Sequence, residues 1–429
     1  MKKIVTFCFI GFSFYLSAQQ LPILEHGSPE EVGLDSIYLQ VSISEIIEEG
    51  IRAQAYPGAN VLVAKNGKII FHEAYGYWTY DSLRIVQKDH LYDYASVTKI
   101  TAGLPALMKL YSEGKFDLDA PLKQYFPKMR WSNKAKLTFR QMLTHQAGLT
   151  PSVLHWKNAL KDDGTFKNKT LSYNASKKYN VKLTDSLWVH QRYKNKMYRA
   201  IKKSDVKENP SYVYSDLFFC LVPKVIENIT KEPFETYIKR EFYQKIGASS
   251  ITFNPLQHFP LDKIVPTERD TFFRKTQVHG FVHDETAHLF GGISGHAGLF
   301  SNIEDLAKLA QLYLNEGKYN GAQLFSDEAM KEFTRYQFSE VGNRRALGFD
   351  KPLLEYNAQE SYVAQSVSPS SFGHSGYTGT FIWIDPEEEL IFIFFSNRVY
   401  PDRSHRALYE LNIRPRLHQV VYDAIKLKQ

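Results

Sequence analysis

The chain has 429 residues, 43% hydrophobic and 23% charged, a globular balance with enough apolar material for one large domain or two ordinary ones. Its formal charge of +7 falls to +5 without Lys2 and Lys3, too mild for the size to point by itself to a polyanion partner. Of two cysteines only Cys220 lies outside the first twenty residues, so an internal disulfide and a cysteine-based metal site are excluded for the remainder.

Taken in chain order, "MKKIVTFCFIGFSFYLSAQQ" has a basic start, a short apolar run and the small residue Ala18, the pattern of a cleavable secretory signal over 1–18. The run Ile4–Leu16 is too short to span a bilayer, so the mature chain is expected to be exported, periplasmic or secreted, with no membrane span. Residues 35–54 carry helical apolar spacing with Asp35 as cap. "ANVLVAKNGKIIFHEAYGYW" is two β-rich runs around Asn66–Gly67, a hairpin signal. Helices are predicted from near Ser96 to Ser112, over 137–149, 211–230 and 233–246, and from Asn302 as cap through Ile303–Leu314. "GTFIWIDPEEELIFIFFSN" reads as two strands around Asp385–Pro386–Glu387, and 405–427 as a closing amphipathic helix.

Strands thus sit at both ends and helices fill the middle, which disfavours a doubly wound parallel sheet. The expected fold is α/β of the α+β type: one central antiparallel sheet built from both chain ends, flanked by terminal helices, with an inserted all-helical subdomain. A single catalytic domain over 19–429 is expected. Residues 19–95 and 340–429 would form its sheet part and 96–339 its mostly helical part. Within the latter, at about 150–210, lies a basic insertion: Lys157 to Lys207 hold fourteen Lys/Arg against four Asp/Glu, a local +10. In an exported protein it reads first as a solvated insertion and second as a contact for an anionic envelope polymer; no nucleic-acid partner is expected.

In "YASVTKITAG" a serine and a lysine stand three residues apart before a long apolar run. Ser-x-x-Lys alone is weak: Ser112–Lys115 and Ser204–Lys207 repeat it at sites that read as surface. At a helix start, however, Ser96 and Lys99 project from one face, and the helix N-terminus favours negative charge on the serine. Burial should depress the Lys99 pKa, leaving a neutral amine able to take the hydroxyl proton. A structural Ser–Lys pair is the alternative on this pattern alone. Two further groups stand out: Tyr214–Ser215–Asp216 before an apolar helical segment, and His374–Ser375–Gly376 where an edge strand would begin.

With all three boxes in order, the sequence resembles the penicillin-recognising serine hydrolases, more narrowly the class C β-lactamase-related branch with its esterases, DD-peptidases and D-aminopeptidases. The phrases "FRQMLTHQAGL" and "GGISGHAGLFSNIEDLAKL" agree, and the resemblance spans roughly residues 30–425. It implies Ser96 as acylated nucleophile, Lys99 as proton acceptor or electrostatic activator, and Tyr214 as proton shuttle to the leaving group. His374, Ser375 and Gly376 would line the site. The Tyr377 N–H would join that of Ser96 as an oxyanion hole. No cofactor or metal is implied; the partner is an acyl substrate, small molecule or peptide, with cell-wall material a candidate source.

Two departures disfavour a strong β-lactamase. Asp216 stands where many lactam-binding relatives have asparagine, and an ionised carboxylate cannot donate to a substrate carbonyl; pairing with a nearby cation is its other reading. His374 replaces a lysine, weakening the fixed charge for a substrate carboxylate. The expected enzyme is a secreted serine hydrolase acting on an ester or amide, as esterase or D-amino-acid peptidase. A weak β-lactamase and a catalytically silent envelope-binding protein are the alternatives. His279, His283, His288 and His296 invite a metal reading, but "HDETAH" lacks the His-Glu-x-x-His arrangement, and capping and packing roles are expected.

Overall fold

A computed structural model describes residues 23–208 and 210–427; the signal expected at 1–18 lies outside the described residues. The central sheet has six strands: β1 (Glu25–His26), β2 (Gly58–Lys65), β3 (Lys68–Gly76), β4 (Phe372–Ser375), β5 (Phe381–Asp385) and β6 (Leu390–Ser396), in the order β1-β3-β2-β6-β5-β4. Both chain ends therefore build one sheet, with β4 on its edge. Four pairings are antiparallel; the fifth, β1 with β3, is parallel, so the sheet is mixed rather than purely antiparallel. The exception is two residues long, where the incoming chain lies beside Lys68–Ile69. The β2–β3 hairpin turns through Asn66 (φ 53°) and Gly67 (φ 75°), both left-handed as a two-residue hairpin turn requires.

The sheet is buried on both faces, which explains its unbroken apolar strands. Along β6, Leu390, Phe392 and Phe394 enter one core with Val61 and Val63, while Ile391, Ile393 and Phe395 enter another with Leu62 and Ala64. Helices α1 (Ser36–Arg52) and α6 (Ile413–Lys426) pack together over the first face. Asp35 caps α1 by accepting the Tyr38 N–H at 2.9 Å. Helix α5 (Ile303–Leu314), capped by Asn302, lies across β2 and β6 on the second face.

The chain between the two sheet halves is mostly helical but not all-helical. Helices α2 (Leu104–Ser112), α3 (Tyr193–Lys203) and α4 (Leu217–Thr230) share it with small sheets, one joining Tyr92–Asp93, Leu299–Ser301 and Thr252–Phe253. Another lies in the basic insertion, where Leu171–Ser172, Tyr179–Thr184 and Leu187–His190 pair. Its apolar residues were hard to read beside Lys177, Lys178 and Lys182: Leu183, Leu187 and Val189 are buried in the main core. The insertion is therefore anchored rather than merely solvated.

Five helix expectations also change. Residues 233–246 are a short α-helix over Phe234–Ile238 running into a π turn over Lys239–Tyr243. Residues 405–427 are broken before left-handed Asn412 into Ala407–Glu410 and α6. Residues 95–103 form a 3₁₀ turn and a π turn before α2 begins. The predicted 137–149 helix is only Phe139–Leu143, ended where His145 turns left-handed at φ 57°. Residues 211–216 carry no regular secondary structure ahead of α4. Among the described residues no helix is long and apolar enough to cross a membrane.

Candidate active site

The site begins at a buried carboxylate. Asp93 accepts the Ala95 N–H at 2.8 Å and the His283 N–H at 2.6 Å, and Ala95 takes the left-handed φ of 45°. That sharp bend presents Ser96, half-buried, in the middle of the 3₁₀ turn Ala95–Val97. Lys99 follows at the first residue of the π turn, fully buried. The local helix type differs from expectation, yet the side chains meet: Lys99 Nζ donates to Ser96 Oγ at 2.8 Å.

The second box arrives from the irregular chain ahead of α4. Asp216 sits at the α4 N-terminus with its Oδ1 2.7 Å from Lys99 Nζ, an ion pair. The Tyr214 ring lies beside the same ammonium, 5.0 Å from Nζ to the ring centroid. Of the two readings for Asp216, the structure supports the cation partner. Ser215 faces away, its hydroxyl donating to the Thr150 carbonyl at 2.6 Å, so it anchors the segment.

This geometry overturns the expected neutral lysine. Burial alone does push the Lys99 pKa down, but the charge of Asp216, then that of Tyr214, and hydrogen bonds to both outweigh it and hold the pKa above the ordinary lysine range. Lys99 is a buried ammonium at neutral pH. Because the folded pKa lies above the unfolded one, the pair's stabilisation is fully present below the ordinary lysine pKa. It is lost only as pH rises through the higher folded value. Wild-type kcat/KM should show no Lys99 ionisation between about pH 6 and 10. Asp216→Asn, which removes the largest effect opposing burial and leaves only that of Tyr214, should bring one into that window. A variant profile identical to wild type would mean that Asp216 does not set the lysine charge.

The third box comes from edge strand β4. His374 is buried, its ring centroid 6.2 Å from that of Tyr214. Its Nδ1 pairs with the Ser375 carbonyl at 2.8 Å. Burial, then the charges of Arg345 and Lys99, hold its pKa well below the usual histidine range, so it is neutral and supplies no fixed charge. Gly376 is a close approach: a Cβ there would lie 2.0 Å from Thr380 Oγ1 and 2.4 Å from the Tyr94 carbonyl. Thr378 and Thr380 donate to the carbonyls of Asp93 and Tyr94 at 2.7 and 2.8 Å. These contacts fasten the turn after β4 to the chain immediately before Ser96. Among the described residues neither the Ser96 nor the Tyr377 N–H has a hydrogen-bond acceptor. The Tyr377 side chain is engaged elsewhere, stacked on His283 with Arg398 over its ring.

Two neighbours escaped the sequence reading. His145 lies against Tyr214 with ring centroids 4.4 Å apart and planes tilted by 36°, and its Nδ1 accepts the Ser215 N–H at 3.1 Å. Burial and nearby cations hold it neutral. Arg345, buried and ion-paired with Asp350, lies 5.9 Å from the Tyr214 ring centroid. The phrase "LTHQAGL" did contain His145, but only tertiary placement gives it a task.

The four histidines of the metal reading each take partners of their own. His279 pairs with the Ile264 carbonyl, His283 with Glu268, and His296 with Asp284, while His288 stands near Arg274. Among the described residues no group of three or more His, Cys, Asp or Glu is placed to hold a metal ion.

A protein of Salmonella enteritidis described as "Putative D-alanyl-D-alanine carboxypeptidase" is 30% identical over 416 residues, 91% of this chain and 89% of its own. Among solved structures, a penicillin-binding protein homologue from Caulobacter crescentus superposes with TM-score 0.63 at 15% identity, over 91% of this chain and 99% of that one. A class C β-lactamase from Rhodobacter sphaeroides gives 0.59 at 18% identity, over 90% and 99%. With residues 43–414 also matching the sequence profile described as Beta-lactamase, the chain belongs to the β-lactamase family of serine hydrolases.

Proposed function

We propose that the protein is an exported acyl-transfer hydrolase that cleaves D-alanyl-terminated peptides through a Ser96 acyl-enzyme, with simple esters as its second substrate class. The observation that carries this is one buried ammonium bridging the nucleophile and a carboxylate, 2.8 Å from Ser96 Oγ and 2.7 Å from Asp216 Oδ1. The peptide reading is supported by the relative at 30% identity. The ester reading is favoured by the neutral His374, which leaves β4 without a cation for a substrate carboxylate.

In this mechanism Ser96 Oγ attacks the substrate carbonyl. Lys99 works as a fixed cation that lowers the cost of charge forming on Oγ, and it keeps its proton throughout. Tyr214 takes the serine proton and returns it to the leaving group. Tyr214 does this as a phenolate, which becomes a neutral phenol on taking the proton and is restored when the proton leaves; Lys99 and Arg345, both facing its ring, favour that phenolate. The N–H groups of Ser96 and Tyr377 receive the tetrahedral oxyanion. Water then enters, Tyr214 draws its proton as the water oxygen attacks the acyl carbon, and the proton passes to Ser96 Oγ as the acyl–Oγ bond breaks, which restores the serine and the phenolate.

Tyr214→Phe should lower kcat/KM by roughly two to four orders of magnitude with the melting temperature nearly unchanged. A full-rate phenylalanine variant would remove the phenol from the proton path. Gly376→Ala must displace the turn that carries Tyr377, so kcat should fall roughly a hundredfold, the value of one oxyanion donor. Stopped assays that find kcat intact would show that the donor lies elsewhere.

One substrate panel tests the assignment: short-chain chromogenic esters, D-Ala-D-Ala peptides and nitrocefin. Release of D-alanine together with ester hydrolysis, and slow or absent nitrocefin turnover, is expected. Nitrocefin as the preferred substrate would refute it, and no turnover of any of the three would favour the silent envelope-binding alternative.

A further inference from the structure

Away from the nucleophile, the basic insertion builds a cleft of ≈ 570 Å³ that the hydrolytic mechanism does not use. Its walls are the turn Pro127–Met129, helix α3 and the middle of α4. Lys224, its α4 contribution, is eight residues beyond Asp216, about 12 Å along the helix axis from the catalytic end.

Five cations line this cleft: Lys128, Lys194, Arg199, Lys202 and Lys224. Only Lys224 has a carboxylate within ion-pair distance among the described residues, Glu227. Lys202 Nζ instead donates to the Lys128 backbone carbonyl at 2.9 Å, which neutralises nothing. Lys128, Lys194 and Arg199 make no side-chain hydrogen bond or ion pair among the described residues. Gathering like charges in a concavity is unfavourable unless an anion occupies it. Lys194 registers that cost: burial, then the charge of Lys224, pushes its pKa down.

The floor is apolar. Phe126 and Met129 are buried, and Tyr198, half-buried, meets Phe126 edge-on at 6.1 Å between centroids. A ligand that fits must carry several negative charges at one end and a ring or acyl portion at the other. Mixed Lys and Arg donors suit phosphate oxygens, the lysines as point charges and the guanidinium as a fork.

We propose that this cleft binds a multiply charged phosphate compound whose apolar portion rests on Phe126, Met129 and Tyr198. The same chemistry occurs in a soluble organic phosphate and in a phospholipid headgroup, and the experiment separates them. The cleft stands independently of the catalytic assignment, because none of its residues belongs to the hydrolytic site.

The test uses the mature chain and the double variant Lys128→Gln/Arg199→Gln, whose two positions are exposed and whose ester hydrolysis should match the parent. Inorganic pyrophosphate is titrated calorimetrically at low and high salt, and vesicles of phosphatidic acid or phosphatidylcholine are floated with the protein. The parent is expected to bind pyrophosphate more weakly as salt rises. The double variant should lose about tenfold or more in affinity, since each charge-assisted hydrogen bond is worth that much. Pyrophosphate binding without vesicle binding assigns a soluble phosphate. Retention on phosphatidic acid but not phosphatidylcholine, lost in the variant, assigns a lipid headgroup. Binding to neither probe, or binding that the variant leaves unchanged, overturns the proposal.

Discussion

Replacing Ser96 by alanine is expected to lower kcat/KM for a chromogenic ester by roughly four orders of magnitude or more, the scale on which nucleophile deletions act. No other hydroxyl can take over. Ser215 is turned away onto the Thr150 carbonyl, and among the described residues no hydrogen bond joins the Ser375 hydroxyl, on the edge strand, to Lys99. The alanine variant should melt at nearly the parent temperature, because the lost hydroxyl is half-buried and its one partner keeps Asp216. An alanine variant hydrolysing the ester at the parent rate would remove Ser96 from the mechanism.

Lys99→Ala should be nearly as damaging, by about a thousandfold in kcat/KM, the value of a preorganised charge inside a water-poor site. It should also be less stable. Removing one partner of a buried pair strands the other, but the Asp216 side chain is 30% exposed and can recruit water. A loss of about 2 kcal/mol is expected, below that for a fully enclosed pair. The double variant Lys99→Ala/Asp216→Asn separates the two effects: chemical denaturation should recover much of the stability while activity stays lost. Recovery of both would mean that Lys99 is structural.

Much of the frame was legible because its signals are local. Asp35 and Asn302 announce helix starts, Asn66–Gly67 announces a hairpin, and the apolar runs of β5 and β6 announce strands covered on both faces. The three boxes were legible as a set, although Ser-x-x-Lys alone occurs three times. What escaped the sequence depends on partners far along the chain. Burial of Lys99 could be inferred, but its charge is decided by Asp216, which meets it only in the folded protein. The left-handed Ala95 is imposed by Asp93, whose other oxygen is held by the distant His283 N–H. The small sheet in the basic insertion was hidden because composition there is dominated by exposed lysines, while Leu183, Leu187 and Val189 anchor it out of sight.

The most direct measurement is intact-protein and peptide mass spectrometry after exposure to a fluorophosphonate that esterifies activated serines. The account expects one adduct per chain, located on Ser96, formed rapidly by the parent, slowly by Lys99→Ala and not at all by Ser96→Ala. A parent chain that stays unmodified, or one that carries the adduct on another serine, would contradict it.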